Sequence, residues 1–401
     1  MKLRIAFSGM FYMCSLNVNA SACIFDNKYI NTDEYRDYHI QSEMNTQSKE
    51  DNLLGLLPSI YINSGQSASN NNGFKGPEFN SASISLSQSV YSGGYFIKNN
   101  ERIENDQQLI HIKMKEARIK FILDAFTAVQ QLKSTNTLIN TYSKYLEYYK
   151  VESKRADYLY KQGELSELEL KLRTNNIKKY ERISASLKTD VINLERELKN
   201  KYFIPPQEIN SINLEEVKKC KTDSFASIAK QASIVENKKA LNNYEMEKTS
   251  YYPSLSLSFS LMPKNGGTLR DINIKEGAYG VSMNLSIPVS GIFKLSSLAE
   301  RHRITMSQVS LNKDKTHNEL NSKRMELEYK LKTEENNLEE YVSELHTSRE
   351  KLDYLRSRVY DNKIDIMNYI NEVNNIYSIE NKISDAKNKI EIYKAYFFYI
   401  D

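Results

Sequence analysis

In the segment Tyr252-Pro253-Ser254-Leu255-Ser256-Leu257-Ser258-Phe259-Ser260-Leu261 the residues from Ser254 onward alternate strictly between serine and apolar side chains. Successive side chains of a strand point to opposite faces, so one face of this stretch suits apolar surroundings and the other suits water. A Gly/Asn-bearing stretch over 264–277 follows, and then Tyr279-Gly280-Val281-Ser282-Met283-Asn284-Leu285-Ser286-Ile287-Pro288-Val289-Ser290-Gly291. The same order occurs once before. Leu57-Pro58-Ser59-Ile60-Tyr61-Ile62 leads into a Gly/Asn-rich stretch over 64–80, and then into Ala82-Ser83-Ile84-Ser85-Leu86-Ser87-Gln88-Ser89-Val90-Tyr91-Ser92-Gly93-Gly94. Pro58 and Pro253 lie 195 positions apart, and Gly93 and Gly291 lie 198 apart. A shared order at nearly constant offset marks an internal duplication. Such strand pairs fit a half-buried hairpin of a soluble domain. They also fit a membrane barrel with a polar lumen, and four strands close a barrel only if several chains contribute.

The sequence between the strand pairs is helical over long distances. Residues 99–161 and 294–359 contain neither Gly nor Pro, and a helix of about 60 residues spans roughly 90 Å. Lys161-Gln162-Gly163 breaks the first run, and a second helix is expected over 166–201, ended by Pro205-Pro206. In the second half Asp361-Asn362-Lys363 makes the turn and 364–399 returns. Leu331, Leu338, Leu345, Leu352 and Val359 are spaced by seven. On the returning helix Ile376, Ile383, Ile390 and Phe397 form one row, and Ile379, Ala386, Tyr393 and Ile400 another. Rows at this spacing describe a coiled-coil seam.

Of 401 residues 40% are hydrophobic, with only 13 Gly and 7 Pro, which excludes a loop-rich sandwich or a disulfide-stapled miniature domain. Fifty-five basic residues nearly balance 51 acidic ones, so no one-signed patch for nucleic acid is expected. The histidines, His39, His111, His302, His317 and His346, share no ligand spacing. No nucleophile, metal or phosphate-cradle motif is present, so neither enzyme chemistry nor a cofactor is expected. At the N-terminus Lys2 and Arg4 precede the apolar stretch from Ile5 to Val18 and then Ala20-Ser21-Ala22. That pattern predicts a secretory signal over residues 1–22, leaving Cys23 first. Cys23 is then a candidate lipidation site, although Ala20 stands where Leu is usual, or a disulfide partner of Cys220.

The order of parts resembles the TolC-like outer-membrane efflux and secretion channels. Leu57-Pro58-Ser59-Ile60 with Leu86 to Gly94, and Tyr252-Pro253-Ser254-Leu255 with Leu285 to Gly291, carry the likeness. So do the tips Tyr160-Lys161-Gln162-Gly163-Glu164-Leu165-Ser166 and Tyr360-Asp361-Asn362-Lys363. The resemblance covers residues 53–400. It implies a mainly helical fold with long antiparallel coiled-coil hairpins in two repeats. Four strands per chain would contribute to a twelve-stranded barrel of a homotrimer in outer-membrane lipid. The implied organisation is a signal peptide (1–22), a short N-terminal equatorial segment (23–52) and a strand pair (53–94). A helical hairpin (95–204), equatorial helices (205–251), a second strand pair (252–292) and a second hairpin (293–401) follow.

By the same resemblance, a periplasmic adaptor and an inner-membrane transporter are the partners, and cargo moves passively through a tunnel gated at the hairpin tips. Aligned tip motifs place Glu169, Tyr360, Asp365, Asn368 and Asn371 at the constriction. Tyr160, Gly163, Ser166, Asn362 and Lys363 fall at the adaptor contact. Asn368 and Asn371 stand where the family carries acids, so cation preference is expected to be weak. The stretch 27–52 reads as short and polar, an eroded form of the family's helix, which suggests a channel dedicated to one export system. Two other readings fit parts of the pattern: a secreted or periplasmic coiled-coil structural protein without a pore, and a periplasmic adaptor.

Overall fold

The computed structural model describes residues 23–65, 81–264, 268–289, 291–360 and 366–401. The expected signal peptide, and most of the loop over 64–80, lie outside them. The chain opens with a single turn, α1 (Asp26–Tyr29), and the helix α2 (Asp33–Leu54), whose N-cap Thr32 accepts from the Tyr35 amide at 3.1 Å. Strands β1 (Ser59–Gly65) and β2 (Ser81–Ser92) lead into the 67-residue α3 (Tyr95–Lys161), which returns as α4 (Glu167–Lys201). Two shorter helices, α5 (Leu214–Lys219) and α6 (Phe225–Thr249), precede β3 (Ser254–Met262) and β4 (Ala278–Ser286). The 70-residue α7 (Gly291–Tyr360) and α8 (Ile366–Ile400) complete the second repeat. At 1.5 Å per residue α3 and α7 are each about 100 Å long.

The four strands form one antiparallel sheet in the order β1-β2-β3-β4. Its register lines up side chains of one kind across the sheet. Ser59 pairs with Ser87, Ser87 with Ser258, and Ser258 with Ser282. One residue along, Ile60, Leu86, Phe259 and Val281 form the neighbouring row. Ile62, Ile84, Leu261 and Tyr279 form the next apolar row. A one-residue slip would mix the faces, so this patterning itself fixes register. The apolar face is not a core face at the edge strands, where Ile60 is 69% exposed and Val281 71%. A bulge at Ser89/Tyr91 precedes the swing into α3. There Gly93 has φ +64°, and a Cβ on it would lie 2.4 Å from the Thr249 carbonyl oxygen, so any side chain is excluded.

The core sits midway along α3. Ile119, Ile122, Leu123, Phe126, Val129 and Leu132 recur along one face of the helix, and all are fully buried. They meet Phe25 and Tyr29 near α1, Leu198 and Tyr202 at the end of α4, Val217 of α5 and Tyr399 of α8. Each such side chain contributes roughly 1.5–3 kcal/mol of burial. Away from this level the helices pair along seams. Ile376, Ile379, Ala386, Ile390 and Ile400 of α8 are buried, and Leu331, Leu338, Leu345 and Leu352 of α7 are half-buried, as heptad packing requires.

The stretch before β1 differs from expectation. It is not eroded: α2 has 22 residues, against 25 for α6 at the corresponding place in the second repeat. Polar composition did not prevent the helix because its contact with α3 is itself polar. Asn45 Nδ2 donates to the Ile103 carbonyl at 2.9 Å and to Gln107 Oε1 at 3.0 Å, Gln107 Nε2 donates to Ser42 Oγ at 2.7 Å, and Asn52 is bonded to Phe96 and Asn99. None of its side chains is buried. With the helix present, nothing in this stretch marks a trimmed channel dedicated to one export system.

Candidate functional site

The α3–α4 tip is built by local chemistry. Gly163 adopts φ +76° just past α3, where the Glu164 amide donates back to the Leu159 carbonyl at 3.0 Å. Ser166 caps α4: its hydroxyl accepts from the Glu169 amide at 3.2 Å, and the Glu169 carboxylate accepts from the Ser166 amide at 3.0 Å. Hydrogen bonds from the Ser166 side chain and backbone hold the Glu169 carboxyl below its ordinary value. The expected constriction acid is therefore exposed but engaged in the cap. Tyr160 is exposed in the last turn of α3.

At the second tip, Tyr360 ends α7, while Asn362, Lys363 and Asp365 lie outside the described residues. Asn368 and Asn371 are exposed, one turn apart on α8. Among the described residues no hydrogen bond joins them to Glu169. The next residue along, Glu372, is an acid that faces the hairpin seam. It is 4% exposed, its Oε2 is 2.5 Å from Lys351 Nζ of α7, and its Oε1 accepts from Asn375 Nδ2 at 3.3 Å. Burial would raise its pKa, but hydrogen bonds from Lys351, Asn375 and Ser348 outweigh this and lower it.

Further from the tips, seven tyrosines bring the two repeats together. Tyr142, Tyr145, Tyr148 and Tyr149 of α3 meet Tyr180 of α4 and Tyr369 and Tyr377 of α8. Tyr145 stacks on Tyr180 with ring centroids 5.1 Å apart and meets Tyr377 edge-on at 4.4 Å. The Tyr145 hydroxyl donates to the Asn374 carbonyl at 2.6 Å, and Asn374 Nδ2 donates to Tyr149 Oη at 2.6 Å. Burial, and the neighbouring tyrosines, push the Tyr145 phenol far above its ordinary value, so it remains a donor. In and beside this cluster several buried polar atoms are left over. Arg173 of α4 is only 5% exposed, yet among the described residues its Nε and Nη1 have no hydrogen-bond partner, nor have Tyr148 Oη, Glu152 Oε2 and Asn374 Oδ1. Sequence reading missed this region. The signal available was the i, i+3, i+4 spacing of tyrosines on α3.

No protein-family model matches the chain, and no curated protein matches it. Solved structures do match over nearly the whole length. The crystal structure of CusC, studied for folding and transmembrane channel formation, has a TM-score of 0.75 at 12% identity, covering 93% of this chain and 90% of that one. The CmeC outer-membrane channel of Campylobacter jejuni gives 0.73 at 14% identity, covering 100% and 93%. The open state of the MtrE outer-membrane channel of Neisseria gonorrhoeae gives 0.73 at 12% identity, covering 94% and 87%. With its duplicated strand pairs, its two long hairpins and these neighbours, the chain has the fold of the TolC-like outer-membrane channels.

Proposed function

We propose that the chain is the exit duct of an export system, a homotrimer whose strands close a twelve-stranded barrel in the bacterial outer membrane. Its helices would line a tunnel through the periplasm. The observation that carries this reading is the two-faced sheet, with serine rows on one side and aliphatic and aromatic rows on the other. In a barrel the serine face lines water and the apolar face meets lipid. Three chains pairing β4 of one with β1 of the next remove every edge. The apolar side chains Ile304, Leu311, Met325 and Tyr329, exposed on α7 of a single chain, favour burial against a neighbouring protomer.

Transport in this reading is conduction without catalysis or cofactor. The channel would be gated by the α7–α8 hairpin shifting against α3–α4, which requires breaking the bond from Tyr145 to the Asn374 carbonyl and the bond from Asn374 Nδ2 to Tyr149. An adaptor attached to an inner-membrane transporter would supply the work at the tips. Exposed Tyr158, Leu168 and Leu172 beside Tyr160, Gly163 and Ser166 offer its helices an apolar surface. On the second tip the corresponding residues are Tyr360, Asn362 and Lys363. Glu169, Asp365, Asn368 and Asn371 remain the candidates for the narrowest ring.

The test is fractionation followed by reconstitution. Heat-modifiable trimers in the outer-membrane fraction and stepwise conductance in planar bilayers are expected. A soluble monomer that never conducts would instead favour a coiled-coil structural protein.

A further inference from the structure

Cys23 has two chemically exclusive fates, because acylation and oxidation consume the same sulfur. In the structure its sulfur is bonded to that of Cys220, across 197 positions, with the two Cα atoms 4.9 Å apart. The surroundings are built to hold the segment in place. Cys220 is 1% exposed, and Phe25 and Tyr29 are buried in the main core. Arg118 of α3 ties the two ends together: Nε donates to Asp26 Oδ1 at 2.7 Å and Nη1 to the Cys220 carbonyl at 3.2 Å. Lys28 donates to the Phe203 carbonyl at 3.2 Å, and Tyr29 Oη to that of Met114 at 3.1 Å. The segment therefore belongs to the middle of the helical body. The 22 residues of α2 separate it from β1, a length of about 33 Å. An acyl chain on Cys23 would start that far from the strands.

We infer that Cys23 is oxidised with Cys220 rather than acylated, that this oxidation is a step in assembly, and that membrane attachment rests on the strands alone. The last part depends on the barrel reading above, whereas the sulfur chemistry does not. The oxidant is a protein dithiol oxidant of the cell envelope in its disulfide form. One cysteine thiolate attacks that disulfide and forms a mixed disulfide, and the second thiolate displaces the oxidant. Two electrons and two protons pass from the cysteine pair to the oxidant, which leaves as a dithiol. Closing a loop of this length restricts the unfolded chain, so the bond favours the folded body.

The test uses the full chain expressed in cells fed an alkyne fatty acid and extracted without reductant. Peptide mapping should find Cys23 and Cys220 alkylated only after reduction, with no fatty-acid label. Label on Cys23, or alkylation of Cys220 before reduction, would overturn the assignment. Cys220→Ser should lose most of the trimer seen on unheated gels and should be cut faster by protease, still without label. Trimer equal to wild type in Cys220→Ser and in the double Cys23→Ser/Cys220→Ser variant would refute the assembly step. An oxidised pair in a wholly soluble protein would count against the barrel reading, and a labelled Cys23 in a membrane trimer against this one.

Discussion

The Tyr145 hydroxyl donates to the main-chain carbonyl of Asn374 at 2.6 Å, joining the first helical hairpin to the second across 229 positions of sequence. A carbonyl is available whatever side chain stands at 374, so removal of the donor is the clean perturbation. Tyr145→Phe keeps the ring contacts with Tyr180 and Tyr377 and deletes one bond, worth about 1 kcal/mol. Tyr145→Phe/Tyr149→Phe deletes two and leaves Asn374 Nδ2 without its acceptor. If the hairpins shift during opening, open probability in planar bilayers should rise about fivefold for the single variant and more for the double. Unchanged conductance in both would remove the tyrosines from the gate.

The sheet makes a prediction from neighbours in sequence. Val281 and Ser282 are adjacent in β4 but belong to opposite rows, opposite Phe259 and Ser258. Val281→Arg places a cation on the apolar face, which costs about 2–4 kcal/mol near the membrane midplane. Ser282→Arg places the same cation toward water and mainly alters selectivity. Trimer yield in the membrane fraction should fall sharply for the first and hold for the second. Equal loss in both would argue that the sheet has no lipid-facing side.

Legibility from sequence followed the range of the interactions. The strands, the hairpins and the seam through Ile379 and Ala386 repeat at fixed short periods, and these were readable. The α2 helix was misjudged because it binds α3 through Asn45 and Asn52 rather than through an apolar stripe. Of the tyrosine cluster only the spacing on α3 is legible, because Tyr145, Tyr180 and Tyr377 come from three helices and only the fold brings them to one level. Glu372 illustrates the limit of aligned motifs. It neighbours Asn371, the position matched to the family's acid, but one residue along a helix turns the side chain by about 100°, here into the seam.

Lys351 and Glu372 form an asymmetric pair, with side chains 61% and 5% exposed. Removing the carboxylate leaves a lysine that water already reaches, so Glu372→Gln should lose only what the ionised carboxylate contributes. Lys351→Met leaves the buried carboxylate without its cation and should cost about 1–3 kcal/mol. Calorimetry should therefore rank Lys351→Met well below Glu372→Gln in melting temperature. The folded-state pKa of Glu372 is depressed, so its contribution is present above the ordinary value of 4.5 and lost as pH falls through the folded value. Wild type should accordingly lose melting temperature below pH 4.5, and Glu372→Gln should lose less. Parallel acid profiles would show that the pair contributes nothing.

Arg173 carries a different kind of imbalance. Its guanidinium is buried on α4 with Nε and Nη1 unpartnered among the described residues, and a buried donor without an acceptor is costly. Replacing a whole buried ion pair or triad by apolar side chains of similar volume has stabilised other folds by about 1–4 kcal/mol. Arg173→Met keeps the length and flexibility of the side chain and removes the unpaired donors. It should raise the melting temperature of the trimer. In the duct reading the gain belongs to the packed, closed arrangement, because a hairpin that swings away lets water reach Arg173. The variant should then open less often in bilayers and export more slowly, although its hairpin is more stable. Lys at this position would keep the charge and should reproduce wild-type gating more nearly than Met. A less stable Arg173→Met trimer would show that the guanidinium is held by favourable contacts, and the link between incomplete packing and opening would fail.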